Sequence, residues 1–338
     1  MKRLVTIITA VIFSVICTTL PLYAQWLPRN FSADTSLRVE YLLGTQTLGS
    51  YNNTPLLNSL VTVNNPSPPP PELASVNAFP NPIELMRIDF NEHLMVLDGV
   101  AELTPARMPS LSARGRGSAS VFNPDKSVSL SNGPSPVPNG NNLTPPPPAT
   151  NYGWNEVPSS ITPKFWLWEV AGLYNFYESI YRYSLVGGYR QETWSYLPSS
   201  NQGSSSYFKD NFVSQIPFIG MQTVMFCPTW KARFEMLGSL FMTKKISHSA
   251  RGDNGYMMQL DGNMTQGGFL EFQAEGNVKI TPAAWAGLYT QYTFESLRGV
   301  LTGVSPDGSG EPTYVPTPYN FYTLRNTWVL GLNCNVPF

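Results

Sequence analysis

The sequence predicts an all-β fold, a transmembrane up-and-down antiparallel β-barrel of about ten strands. Three observations predict this class. Alternating apolar and polar residues recur along the 338-residue chain, long and short connections alternate between these stretches, and the last strand ends on an aromatic residue. We expect the sheet to close on itself because an open edge in lipid would leave backbone groups without hydrogen bonds.

The last eleven residues alternate strictly with a two-residue period and predict the final strand. Its apolar face consists of Trp328, Leu330, Leu332, Cys334, Val336 and Phe338, and Gly, Asn and Pro occupy most of the other face. A strand with one apolar face must place that face against an apolar medium. A terminal Phe on such a strand resembles the closing strand and assembly signal of bacterial outer-membrane barrels. We therefore expect outer-membrane lipid and the barrel-assembly machinery to be partners of this chain.

Composition fits a barrel and gives no argument for nucleic-acid binding. The formal charge is -1, and loss of Lys2 and Arg3 with a leader makes it -3. Charged residues make up 13% of the chain, about half the usual share in globular proteins. The content of 26 Gly and 31 Pro predicts many turns and long loops. Mean hydropathy is only -0.14, as expected when half of each strand faces away from hydrocarbon.

Residues 1–24 have the pattern of a signal peptide. Two basic residues precede an apolar run over residues 4–16, and cleavage is expected between Ala24 and Gln25. The apolar run is too short to span a bilayer, and no later run of about 18 apolar residues occurs in the sequence. The remaining residues, 25–338, are expected to form a single barrel.

Ten alternating segments predict the strands of that barrel. They are residues 36–47, 83–103, a third segment ending near 117, 164–172, 181–192, 208–226, 231–247, 270–279, a ninth ending near 301, and the terminal strand. Long Pro- and Gly-rich loops are expected at about 49–82, 118–163, 197–207, 248–266 and 302–319. These loops follow odd-numbered strands, whereas tight turns follow even-numbered ones. The pattern predicts extracellular loops and two periplasmic termini.

The eighth segment indicates a polar lumen. Apolar and polar residues alternate in the order Leu270, Glu271, Phe272, Gln273, Ala274, Glu275, Gly276, Asn277, Val278 and Lys279. A secreted soluble β-sandwich also alternates, but it would not place two carboxylates opposite a continuous apolar face. We predict a luminal polar cluster made of Arg87, Asp89, His93, Glu271 and Glu275. In it, His93 would be a salt-bridged histidine.

Cysteine and histidine spacing predicts neither a metal site nor a cofactor. Cys227 and Cys334 remain after the leader, and an oxidising compartment would permit a disulfide between them. We expect the two thiols to be unpaired, because they lie on different predicted elements. No Cys/His spacing resembles that of a metal site.

Four motifs in the second half of the chain resemble the omptin family of outer-membrane proteases. They are Lys279-Ile-Thr-Pro-Ala283, Gly187-Gly-Tyr-Arg-Gln-Glu192, Pro217-Phe-Ile-Gly220 and Tyr319-Asn-Phe321. The resemblance covers residues 164–338 well and the first half in outline. It implies a ten-stranded barrel in the bacterial outer membrane, with a peptidase site at the mouth.

The residues that this resemblance would make catalytic do not carry over. Omptins set an Asp pair opposite an Asp–His pair, which supplies the base near neutrality that water activation needs. Here no His stands two residues after Asp253, and Asp125 is alone where a pair is needed. The weak candidates for a rearranged site are His248 and Asp253.

Three functions stay open at this point. The first, which we favour, is an omptin-like barrel without peptidase activity that binds a surface ligand or peptide or has a structural role. The second is a small porin or channel, although a ten-stranded lumen is narrow and largely filled by side chains. The third is an omptin-type endopeptidase that uses a rearranged site.

Overall fold

A computed structural model describes residues 31–52, 83–124, 126–132, 159–198, 207–251, 257–282, 284–306, 312–314 and 319–337. The regular structure in these residues is entirely β. Its strands are β1 (Phe31–Asn52), β2 (Ile83–Pro105), β3 (Leu111–Phe122), β4 (Lys126–Asn132), β5 (Ser159–Glu178), β6 (Tyr181–Pro198), β7 (Tyr207–Phe226), β8 (Trp230–Ser239), β9 (Thr243–Arg251), β10 (Met257–Thr281), β11 (Ala284–Pro306), β12 (Pro312–Tyr314) and β13 (Tyr319–Pro337). Within the same residues, no helix is both long and apolar enough to cross a membrane.

The strands form one closed antiparallel barrel. Each long strand pairs with its neighbours in the chain, and β13 pairs with both β11 and β1, which closes the sheet. β3 and β4 together fill one position of the barrel, as do β8 and β9. The barrel therefore has ten strand positions, and β12 is an extra strand on β11. The predicted ten-stranded up-and-down barrel is confirmed.

A belt of apolar side chains covers the outside of the lower part of the barrel, the part next to the short turns. Exposed members of this apolar belt are Tyr41, Leu103, Trp166, Trp168, Val170, Tyr183, Leu185, Ile219, Phe234, Phe272, Leu288, Trp328, Leu330 and Leu332. Contiguous exposed apolar surface on this scale marks an interaction site. The belt surrounds the barrel, as the hydrocarbon layer of a bilayer requires.

Above the belt, the two faces of each strand exchange character. In the lower part of β2, Asp98 is buried inside while Leu103 is exposed outside. In the upper part, Ile88 and Phe90 are buried inside, whereas Asp89 lies on the outer face, where its carboxylate accepts a hydrogen bond from Thr47 at 2.6 Å. The outer medium changes from hydrocarbon to water at this height, so the apolar side chains move to the interior.

Several predicted boundaries were wrong. The first strand extends beyond residues 36–47, and the expected break after residue 172 is absent because β5 continues to Glu178. The turn comes one residue later, where Ser179 has a φ of 54°. The predicted seventh strand is interrupted between β8 and β9.

The predicted loops are also shorter where the structure describes them. Parts of the expected 118–163 loop are strand, at the end of β3, in β4 and at the start of β5. Most of the expected 248–266 loop is also strand, because β9 and β10 extend into it. These strands continue above the belt with polar outer faces, so they lack the lipid-facing alternation expected of membrane strands. The leader, its cleavage site and the central parts of the long loops lie outside the described residues.

Candidate functional site: the barrel interior

Charged side chains that pair across the lumen fill the belt-level interior. We call the set Arg38, Asp98, Arg114, Arg116, Glu169, Arg190, Glu235, Glu271 and Glu275 the luminal network; every member is less than 10% exposed. Arg38 donates to Asp98 at 3.0 Å and to Glu275 at 2.8 Å. The Nε of Arg116 donates to the other oxygen of Asp98 at 2.7 Å. This half of the network connects β1, β2, β3 and β10.

The other half of the network is centred on Arg190. Its guanidinium donates to Glu169 at 2.7 Å and to Glu271 at 2.7 Å. Arg114 donates to the second oxygen of Glu169 at 2.9 Å and to Glu235 at 2.5 Å. Short charge-assisted bonds of this kind are about twice as strong as neutral ones, and here they link β3, β5, β6, β8 and β10.

Aromatic rings fill the space beside the guanidinium groups. Arg38 lies 4.0 Å from the ring centroid of Tyr289, and Arg190 lies 5.6 Å and 5.2 Å from the centroids of Phe218 and Phe269. Such cation–π contacts gain strength where water is excluded. At belt height, side chains rather than solvent therefore occupy the lumen.

A cluster of aromatic rings occupies part of the interior above the belt. Tyr196 stacks on Phe90 with ring centroids 4.3 Å apart, and Phe212 meets both rings edge-on at 5.7 Å. The Tyr196 hydroxyl donates to Glu92 at 2.6 Å. Burial raises the pKa of Glu92 to about 7, although the charge of Arg325 acts in the opposite direction.

One histidine–carboxylate pair lies in this upper interior. The register of β7 and β9 places Asp210 beside His248, and Nδ1 of His248 lies 2.5 Å from Oδ1 of Asp210. Neither side chain is exposed to solvent. Burial alone would lower the pKa of His248, but the charge of Asp210 and its hydrogen bond raise it above the ordinary value. The pair is therefore an internal ion pair of the barrel wall.

The structure describes one of the two predicted catalytic candidates. His248 was expected in a loop, but it lies in β9, where Asp210 is a carboxylate neighbour. Asp253 and Asp125 lie outside the described residues. Sequence reasoning missed Asp210 because it is 38 residues from His248, and only the pairing of β7 with β9 makes them neighbours.

The predicted luminal cluster divides between the two faces of the wall. Glu271 and Glu275 are buried in the luminal network, at 0% and 4% exposure. The expectation for Asp89 and His93 was wrong, because both lie on the outer face of β2 above the belt. The side chain of Arg87 is outside the described residues. A signal for the missed arginines existed, since Arg114 and Arg116 alternate with glycines along β3.

The remaining predicted residues lie near the lower end of the barrel. Trp328, Leu330 and Leu332 are 50–58% exposed on the lipid face of β13, whereas Val336 is buried. Phe338 is outside the described residues. Cys227 is a free thiol, so it forms no disulfide with Cys334. Cys334 itself is disulfide-bonded, so the expectation that both thiols are unpaired was wrong for Cys334. Among the described residues, no group of three His, Cys, Asp or Glu side chains could hold a metal ion.

A closed ten-position barrel with an apolar belt and a charged interior is a membrane β-barrel. Its fold is that of the outer membrane protease OmpT from Escherichia coli, to which the chain is similar with a TM-score of 0.66 over 92% of this chain and 97% of that one. The two sequences are 12% identical, so the likeness shows the fold alone. The predicted resemblance in architecture is confirmed.

Other membrane barrels are similar to the chain at a lower level. The translocator domain of the autotransporter NalP from Neisseria meningitidis has a TM-score of 0.34 and 7% identity, over 96% of both chains. The toluene transporter TodX of P. putida has a TM-score of 0.28 and 7% identity, over 93% of this chain and 91% of that one. Both likenesses are too weak to support an argument about function. No protein-family model matches the chain, and no curated protein matches it.

Proposed function

We propose that the protein is a bacterial outer-membrane barrel that is closed to ions, has no peptidase activity and acts at the cell surface as a binding or structural protein. The observation that supports this best is the luminal network. It fills the belt-level lumen with ion pairs whose side chains are almost completely buried.

The network argues against a channel. A pore lined by charges needs water around them, yet the side chains of Arg190, Glu169 and Glu271 are 0–1% exposed. Their hydrogen-bonding groups are directed at one another rather than at a water-filled path. An ion entering this lumen would have to break several short charge-assisted bonds.

The surroundings of His248 argue against a rearranged peptidase. A general base must come within hydrogen-bond distance of the water or substrate that it deprotonates. His248 is 0% exposed, and one of its ring nitrogens already lies 2.5 Å from Asp210. Because the imidazole has no exposed surface, a peptide could reach it only if neighbouring side chains moved.

The height of the barrel supports a role at the surface. β10 contains 25 residues, which at about 3.3 Å per residue span roughly 80 Å along the strand. A tilt of about 40° reduces this to a height of roughly 60 Å, more than twice the apolar band of about 25 Å. Much of the barrel would then project from the membrane and hold its long loops away from the lipid surface.

Conductance of single barrels in planar lipid bilayers tests the closed lumen. We expect the native protein to give no steady current under conditions where an open porin conducts. The matched variants are Arg190→Ala in the network and Arg298→Ala on the outer face above the belt. Transient current with Arg190→Ala alone would support the proposal, and a steady open current from the native protein would overturn it.

Peptide cleavage tests the absence of peptidase activity. The purified barrel should leave a basic peptide intact under conditions where OmpT cleaves it. Cleavage by the native protein that is lost in His248→Ala would establish the rearranged site instead. Cleavage that persists in His248→Ala would point to a contaminant or to another site.

Membrane fractionation and surface labelling test the location and orientation. We expect the protein in the outer membrane, with both termini periplasmic. An epitope inserted near residue 145 should be reached by antibody on intact cells, whereas one inserted in the turn at Cys227 should be reached only after the outer membrane is opened. The reverse pattern would overturn the proposed orientation.

A further inference from the structure

The interruption between β8 and β9 exposes two consecutive apolar side chains. Leu240 is 78% exposed and Phe241 is 81% exposed, the highest values for large apolar residues in the described part of the chain. Consecutive residues of an intact strand point to opposite faces, so only a break allows both to point outward. The following residue, Met242, is 0% exposed and returns to the interior.

The neighbouring strand is irregular at the same height. The register of β10 shifts between Met264 and Gln266, and Gly267 has a φ of 143°, a value that glycine tolerates and L side chains rarely adopt. A Cβ at Gly268 would lie 2.8 Å from the carbonyl oxygen of Ser239 and 3.5 Å from Cδ2 of Leu240. The glycine pair thus makes room for the broken segment beside it.

The two side chains stand at the upper edge of the apolar belt. One step below them, the outer face carries Ile219 at 76% exposure and Leu270 at 37% exposure. One step above, it carries Gln215, Gln266 and Arg298, which are all exposed and polar. The outer face therefore changes from apolar to polar immediately above Leu240 and Phe241.

We propose that Leu240 and Phe241 form a finger that inserts into the acyl-chain layer of the outer leaflet and sets the depth of the barrel in the membrane. This inference rests on the proposed outer-membrane location. Lipid is the occupant that the structure favours, because the finger continues the belt without a gap and the charged residues begin only above it. A second copy of the chain would be expected to contact a broader surface than two protruding side chains.

Spin-label accessibility tests the finger directly. Single cysteines would replace Leu240, Phe241, Phe272 and Lys245 in a Cys227→Ser/Cys334→Ser background, which removes both cysteines that remain after the leader. The labelled barrels are reconstituted in dioleoylphosphatidylcholine vesicles. Relaxation by oxygen, which concentrates in hydrocarbon, is then compared with relaxation by a water-soluble nickel chelate. Phe272 in the belt and Lys245 above it are the hydrocarbon and water controls.

We expect labels at positions 240 and 241 to show the high oxygen-to-nickel ratio of position 272, several-fold above that of position 245. Values equal to position 245, with position 272 in hydrocarbon, would overturn the finger and leave the membrane barrel intact. A water-like value at position 272 would overturn the proposed membrane location itself. Protection from both reagents at 240 and 241 would assign the finger to a protein contact and overturn the lipid proposal.

A double substitution tests whether the finger sets depth. The variant Leu240→Ser/Phe241→Ser should still fold, because both side chains are exposed. Without the finger the apolar band ends lower on the barrel, so the barrel should shift outward, away from the periplasm. Position 219 would then approach water, and the oxygen-to-nickel ratio of a label there should fall several-fold. Leu288→Ser, in the middle of the belt, is the matched control and should leave that ratio unchanged. An unchanged ratio in the double variant would overturn the depth-setting role.

Discussion

Removal of Arg190 should be among the most destabilising single changes in the barrel. Its side chain is 0% exposed, and its two terminal nitrogens donate to Glu169 at 2.7 Å and to Glu271 at 2.7 and 2.8 Å. In Arg190→Ala, Glu169 would keep Arg114 as a cationic partner. Glu271 would keep only neutral partners, Gln291 among them at 2.8 Å. One carboxylate would then lie in a dry interior without a directly bonded cation.

The expected cost is about 3–5 kcal/mol, the range for removing one partner of a buried ion pair. Loss of the guanidinium contacts with the rings of Phe218 and Phe269 adds to this cost. The double variant Arg190→Met/Glu271→Gln should recover much of the loss. In that variant an apolar side chain replaces the cation, and the partner no longer carries an unpaired charge.

Urea unfolding in lipid vesicles, followed by tryptophan fluorescence, measures these differences. Arg298→Ala, on the exposed outer face, is the control and should change the free energy of unfolding by no more than about 0.5 kcal/mol. If Arg190→Ala also costs less than about 1 kcal/mol, water must solvate the stranded carboxylate. That result would refute the reasoning that the lumen is dry and closed.

Three further predictions concern the upper interior, the lipid face and the close contacts between strands. The free energy of unfolding should fall as pH rises from about 5 to 8. The folded barrel holds a proton on Glu92 up to about pH 7, and the pKa of His248 is also raised, whereas the unfolded chain releases both protons at lower pH. Unfolding in buffered urea should show this fall with pH, and Glu92→Gln should make it smaller. Leu330 is 58% exposed in the belt, so Leu330→Arg should destabilise the membrane-inserted barrel by roughly 2–4 kcal/mol. The amount of assembled barrel in membrane fractions should fall, and an unchanged amount would contradict the lipid-facing assignment of β13. A Cβ at Gly287 would press on the carbonyl of Gly276, while one at Gly172 would meet nothing within 4 Å. Gly287→Ala should therefore reduce the free energy of unfolding by about 1–3 kcal/mol, and Gly172→Ala should leave it unchanged. Equal effects of the two variants would contradict the close packing at Gly287.

The polar interior was predictable where a strand alternates against an apolar face in lipid. Glu271 and Glu275 follow that rule, and both side chains are buried in the luminal network. Asp89 and His93 lie on the outer face instead, because the same alternation has the opposite meaning once the strand leaves the membrane. Nothing in the pattern of β2 marks the height at which hydrocarbon gives way to water.

In the candidate site, too, the local sequence pattern indicates which side chains face the interior but not which residues they contact. Arg114, Arg116 and Arg190 stand at alternate strand positions and could be recognised as interior charges from the chain alone. Their partners could not, because the bonds from Arg190 to Glu271 and from Arg114 to Glu235 join residues 81 and 121 positions apart. Which carboxylate lies opposite which arginine depends on the stagger of strands around the whole barrel.

The sequence by itself determined that this chain is a closed sheet with one lipid-facing surface, because a two-residue period and turn residues act over a few positions. Only the tertiary structure decided that Asp210 pairs with His248 and that Leu240 and Phe241 protrude together. It also decided that ion pairs fill the lumen. Those outcomes require strands distant in sequence to meet at a fixed register and height, and no local pattern specifies either.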